Sequence, residues 1–245
     1  MKTPEYPEKS FHDTEFLESL EGRTLRILSE YLSPMTRLEK AKINSTILFL
    51  GSSKADPTDA DSAFHRYYWE AEELAYLLAK WAISVKTPRG KDFVVCTGAG
   101  PGIMEAANRG AARAGGKTIG MNISLPQPQP PNPYITPDLS FSFHYFFMRK
   151  FWLTYKAKAV IAFPGGYGTL DEFFEIVTLL QTSKISKKEL ALILYGGDYW
   201  RDLIKFDSMV KKGAICAEDL KLFRICSTPR EAFTVLKKRL SESLA

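Results

Sequence analysis

The sequence predicts an α/β fold, a Rossmann-like parallel sheet with helices on both faces, and three observations lead there. Short apolar runs alternate with longer amphipathic segments along most of the chain, the pattern of strands joined by crossover helices. Two of those runs end in glycine-rich turns, at 97–102 and 164–168, before an amphipathic stretch. The length, 245 residues with 45% apolar and 25% charged, suits one such domain of an ordinary globular protein.

Residues 1–44 are read as a helical N-terminal extension and 45–245 as the Rossmann-like domain. In the extension Phe16, Leu20, Leu25, Leu28 and Leu32 recur at helical spacing. Pro34 is expected to interrupt that helix, because it lacks an amide hydrogen and crowds the preceding turn. The first strand is 46–50, closed by Gly51, Ser52 and Ser53, and 63–85 is an amphipathic helix. A second strand at 93–96 leads through a glycine turn into a helix at 103–114, and 118–123 is a third strand. The proline-rich stretch 125–137 is read as a surface loop, since its prolines fix φ and remove donors. Residues 141–147 lead into a helix at 149–156, followed by a strand at 159–163 and a helix at 170–181. A strand at 190–195, a helix near 199–210, an apolar run at 222–226 and a last helix at 230–240 complete the order.

The formal net charge is +5, with basic and acidic residues interspersed. That lacks the clustered footprint of nucleic-acid binding and suits a small anionic ligand better. No apolar run reaches the length of about 18 residues that marks a membrane span. The polar start, residues 1–10, has no signal-peptide core. Cys96, Cys216 and Cys226 lack zinc-site spacing and are read as buried thiols of a cytoplasmic protein. His12, His65 and His144 are isolated, so no metal site is expected.

In parallel sheets of this kind ligands sit beyond the carboxyl ends of the strands, which directs attention to the turns. The sharpest motif runs from Pro164 through Gly165, Gly166, Tyr167, Gly168, Thr169, Leu170 and Asp171 to Glu172. Its glycines let the backbone turn tightly with amides exposed, and a helix start near Thr169 adds partial positive charge, so a phosphate fits there. A competing reading makes Thr169 and Glu172 a capping box, although that leaves the preceding glycines unexplained.

The turn with Gly98, Gly100 and Gly102 precedes Met104 and Glu105. It lacks the lysine of a P-loop, and no acid closes the next strand as a dinucleotide site requires. A mononucleotide or a merely tight turn remains. Ser52 and Ser53 add hydroxyls at the same sheet edge, or form an ordinary loop. Arg149 and Lys150 begin a helix-like stretch and could equally be its solvated face. Tyr145, Phe146 and Phe147 are read as core, with a base pocket as the lesser alternative.

Together these residues resemble the LOG family of nucleoside 5′-monophosphate phosphoribohydrolases, whose members often carry a lysine decarboxylase label. The resemblance spans residues 45–240. It rests on Arg149 and Lys150 followed by Pro164 to Glu172, with Thr97 to Asn108 as a second block. It implies Arg149 and Glu172 as the catalytic pair and Gly165, Gly166, Gly168 and Thr169 as the phosphate loop; Ser52 and Ser53, from the reading of the first turn, are expected to join that loop. Gly98, Gly100, Gly102, Met104, Glu105, Lys150 and Asp171 are the expected substrate contacts. It also implies a homodimer or higher homo-oligomer, with a nucleoside monophosphate as substrate and no cofactor. One departure is that the loop Leu125, Pro126, Gln127, Pro128 lacks the acid that relatives often carry there.

Bond cleavage at C1′ builds oxocarbenium-like charge. Glu172, ionised, would stabilise that charge, and the neighbouring Arg149 is expected to lower its pKa. A non-catalytic nucleotide-binding or carrier protein of the same fold is the alternative. Decarboxylation would need a Schiff-base lysine, and no persuasive one is visible.

Overall fold

The computed structural model describes residues 7–85 and 93–242, so the polar start of the chain lies partly outside it. Helices α1 (Thr14–Glu18) and α2 (Arg23–Lys40) come first. Alternation follows: β1 (Ser45–Leu50), α3 (His65–Ser84), β2 (Phe93–Thr97), α4 (Ile103–Arg113), β3 (Thr118–Ile123) and β4 (Ser140–Phe143). Next come α5 (Phe146–Tyr155), β5 (Ala157–Ala162), α6 (Tyr167–Gln181), β6 (Ala191–Tyr195), α7 (Gly197–Leu203), α8 (Phe206–Lys211), β7 (Arg224–Cys226) and α9 (Pro229–Glu242). The seven strands form one sheet in the order β4-β3-β2-β1-β5-β6-β7, parallel throughout.

Alternate side chains of each strand feed two cores, as a pleat with period two demands. Ile47 and Phe49 of β1 pack with Leu74 and Leu78 of α3, Ala107 of α4 and Leu236 of α9. Leu48 and Leu50 point the other way, toward Leu38 of α2, Trp152 of α5 and Phe173 of α6. The expected Rossmann-like α/β sheet, covered on both faces, is what the chain forms. Strand order reverses at β1, which has β2 on one side and β5 on the other. The turns after these strands part there and leave a crevice.

Helices α3 and α4 approach closely. A methyl group on Gly110 of α4 would collide with the Glu72 carbonyl of α3. The Glu72 carboxylate, 4% exposed, lies 3.6 Å from Arg109 and 3.4 Å from Arg113. Buried charge of this kind is tolerable only when paired.

Several elements differ from the sequence reading. Pro34 lies inside α2 instead of ending it. The carbonyl that a residue at 34 would normally bond belongs to Glu30, and the Trp152 indole donates to it at 3.0 Å instead. The helical path is interrupted instead at residues 19–22, between α1 and α2. Residues 140–143 form an edge strand where only a lead into a helix was read. The helix expected over 199–210 is two, α7 and α8, parted where Ile204 turns extended and packs on the core. Cys96 and Cys226 are buried as expected, but Cys216 is exposed. Among the described residues no helix is long and apolar enough to cross a membrane.

Candidate active site

The turns after β1, β2 and β5 meet around a cleft of about 430 Å³, within the size range of small-molecule sites. Backbone hydrogen bonds lock these turns together. Ser52 N–H donates to the Pro164 carbonyl at 3.0 Å, and Ile103 N–H donates to the Ser52 carbonyl at 3.0 Å. Gly102 has φ +69°, a left-handed conformation that glycine adopts without strain, and a Cβ there would strike the Ser52 carbonyl. Gly165 must likewise lack a side chain, because a Cβ would meet the Thr169 hydroxyl and Ser52 amide. The Tyr199 hydroxyl, arriving from α7, donates to the Gly165 carbonyl at 2.8 Å.

A buried polar network shapes the β2 turn. The Thr97 hydroxyl donates to Asn108 Oδ1 at 2.7 Å and accepts from the Ala99 amide at 3.0 Å. Asn132 Nδ2 donates to the carbonyls of Ala99 and Gly100 and to Asn108 Oδ1. The proline-rich loop is thereby tied to the turn, and it delivers Gln129 to the cleft wall.

Helix α6 starts at Tyr167 with Gly166 as its N-cap, two residues before the expected start. The capping-box reading of Glu172 does not hold, since no side chain caps this helix. Glu172 turns instead to Arg149 on the first turn of α5, whose Nη2 donates to its Oε1 at 2.8 Å. The pair is 14% and 13% exposed in its side chains, so it is shielded yet reachable from the cleft that both residues line. Burial pushes the Glu172 carboxyl above its ordinary value, and the charge and hydrogen bond of Arg149 only partly offset this. The expectation that Arg149 would hold this acid below the usual range is thus corrected: desolvation outweighs the ion pair. Arg149 Nε is buried and makes no hydrogen bond among the described residues.

Ser52, Ser53, Gly98, Met104, Gly165, Gly166, Gly168 and Thr169 all line the cleft with the pair. The other sequence candidates are not among its lining residues. Gly102 is consumed by the turn, and Gly100 leaves room for the Gln129 amide. Glu105 accepts the Tyr68 hydroxyl at 3.0 Å. Lys150 pairs with Asp171 at 2.6 Å, bridging α5 to α6 beside the catalytic candidates. Phe146 and Phe147 are neither core nor cleft lining but half-exposed, although Phe146 lies under the Arg149 guanidinium at 5.6 Å. Sequence reading missed Lys54, Phe64, Asn122, Ile123, Gln129 and Tyr199 in the lining. Asn122 carried a usable signal, being a polar residue at the carboxyl end of an apolar strand.

A family model described as "Possible lysine decarboxylase" matches residues 104–236, more than half of the chain and inclusive of Arg149 and Glu172. The chain belongs to this LOG-type family. Among curated LOG-type relatives, the pyrimidine/purine nucleotide 5′-monophosphate nucleosidase of Escherichia coli K12 is 32% identical over 133 residues, covering 47% of this chain and 28% of that protein. The cytokinin riboside 5′-monophosphate phosphoribohydrolase LOG of rice is 36% identical over 86 residues, covering 35% of each. The match thus takes in about a third or less of the length of these relatives. A solved molybdenum cofactor binding protein from Rippkaea orientalis superposes with a TM-score of 0.53 at 23% identity, covering 80% of this chain and 98% of that one. The Moco carrier protein of Chlamydomonas reinhardtii gives 0.52 at 21% identity, covering 81% and 99%. At these identities the likeness is one of fold. The decarboxylase description would require a Schiff-base lysine. Lys54, the lysine among the lining residues, is exposed and lacks the burial that makes such lysines reactive, so the site does not fit that chemistry.

Proposed function

We propose that this LOG-type chain hydrolyses the N-glycosidic bond of nucleoside 5′-monophosphates, of the AMP or cytokinin riboside monophosphate type, to free base and ribose 5-phosphate. The observation that carries this reading is the Arg149–Glu172 pair set in one cleft with the Gly165 to Thr169 turn. Amides at the start of α6 and the Thr169 hydroxyl suit a 5′-phosphate, helped by the helix dipole. The anchored phosphate then contributes binding energy to orienting the sugar.

In the reaction, water oxygen bonds to C1′ as the C1′–N bond breaks and its electron pair leaves with the base. Glu172 stabilises the positive sugar, takes the proton of the attacking water and passes it to the departing base, so that the base leaves neutral and the carboxylate is restored. A carboxylate whose pKa is raised by burial is a better base than an exposed one. The Arg149 guanidinium favours the ionised form of Glu172 and aligns it. The names of the aligned relatives support the same substrate class.

Incubation of the protein with AMP, with released adenine measured by chromatography, tests this. Adenine should appear with the wild type, far more slowly from adenosine, and about 10²–10⁴-fold more slowly with Glu172→Gln. Equal turnover of AMP and adenosine would refute the phosphate anchor. Nucleotide binding without any adenine release would favour a non-catalytic nucleotide-binding or carrier protein, a reading that the fold likeness and the loop without an acid at 125–128 keep in view.

We further propose that two copies pair. Leu25, Leu28 and Leu32 of α2, and Leu20 in the turn before it, are exposed by 42% or more, an apolar strip of the kind that a partner surface covers. A cytoplasmic setting, where nucleotides and a reduced exposed thiol such as Cys216 belong, is part of the same proposal.

A further inference from the structure

Helix α5 carries Arg149 but lacks a start of its own. Its N-cap is Tyr145, which makes no side-chain cap hydrogen bond. The acceptor comes from α2 instead. Glu30 Oε1 takes the His144 amide at 2.7 Å, and Glu30 Oε2 takes the Tyr145 amide at 3.3 Å. The backbone carbonyl of the same residue takes the Trp152 indole at 3.0 Å, two turns further along α5. Arg26 Nε donates to the Tyr145 hydroxyl at 3.3 Å, and the Arg23 guanidinium lies 5.8 Å from the Tyr145 ring centre.

One residue of α2 therefore holds α5 at two places, and its negative charge faces the positive end of the helix. Arg149 lies within the first turn so held, and the ring of Phe146, directly after the gripped turn, supports its guanidinium. Fixing the turn at 144–145 fixes the ring, the ring limits the guanidinium, and the guanidinium meets Glu172. An anchor of this precision matters where a small displacement of a catalytic group costs rate.

On the strength of the hydrolytic reading above, we infer that α2 belongs to the catalytic apparatus and that Glu30 is a positioning residue for Arg149. Glu30 lies outside residues 104–236, the stretch that the family model matches. The chain thus brings its own support for a shared pair. Glu30 touches none of the reacting atoms and acts through α5.

The test uses the full chain with Glu30→Ala and Glu30→Gln, the latter keeping an acceptor oxygen. With AMP, Glu30→Ala should lower kcat about tenfold while KM changes little, since the phosphate turn is untouched, and Glu30→Gln should recover most of the rate. Melting curves confirm that both variants are folded. A second measurement is independent of turnover. Amide hydrogen exchange in Glu30→Ala should quicken at 144–149 and stay unchanged at 165–169. Unaltered exchange at 144–149, or equal quickening in both segments, overturns the inference, as does an unaltered kcat. A wild type that releases no adenine overturns the hydrolytic reading alone, and the exchange pattern still decides whether Glu30 orders this turn.

Discussion

Glu172 stands between two opposed influences. Loss of water around its carboxylate raises the energy of the charged form, and the guanidinium 2.8 Å away lowers it, with burial the larger. In the proposed reaction the ionised form does the work, so activity should disappear as pH falls through the raised pKa. The acidic limb of kcat should therefore lie above the 4.5 of an unperturbed glutamate. Arg149→Lys, which gives up the planar fork while keeping a charge, should move that limb further upward as compensation weakens. Adenine release measured from acidic to alkaline buffers checks this, and a limb that stays in place would remove Arg149 from the titration. At this scale the sequence was informative where a motif existed. The glycines and Glu172 stand in one contiguous run, whereas Arg149 could be joined to Glu172 only through the family pattern. Tyr199 and Gln129 come from segments with no motif, and only folding brings them to the cleft.

At the scale of elements, α2 shows how a helix tolerates an internal proline. Pro34 leaves the Glu30 carbonyl without its usual donor, and Trp152 supplies one from α5. Trp152→Phe keeps the ring in the core but orphans the carbonyl, which should cost about 1–3 kcal/mol. The cost should shrink in a Pro34→Ala background, because an alanine amide can then close the turn. Denaturant melts of the two single variants and the double variant measure the coupling, and strictly additive losses would contradict the substitution of one donor for the other. Periodicity along α2 could not foresee this, since the rescuing donor is remote in sequence. The strand 140–143 was missed for another reason. Its Ser-Phe-Ser-Phe alternation has the period of a strand, but it is short and runs almost directly into α5.

For the whole molecule, the alternation of strands and helices made the parallel sheet legible. The order of its strands was not, because no local residue encodes that β1 sits between β2 and β5. The exposed leucines of α2, with Leu20 just before it, set an expectation at this scale as well. Light scattering should give twice the chain mass, and Leu28→Asp combined with Leu32→Asp should give the single mass with the fold retained. A monomeric wild type would leave those leucines without their proposed cover. The α3–α4 contact, where Gly110 meets the Glu72 backbone, gives the architecture a fixed gauge. Any larger residue at 110 is a wedge under one end of a lever whose far end, at Met104, borders the cleft. Heat tolerance and grip on the ligand should then fail in step, which makes this distant spacing a hidden calibration of the cleft's width.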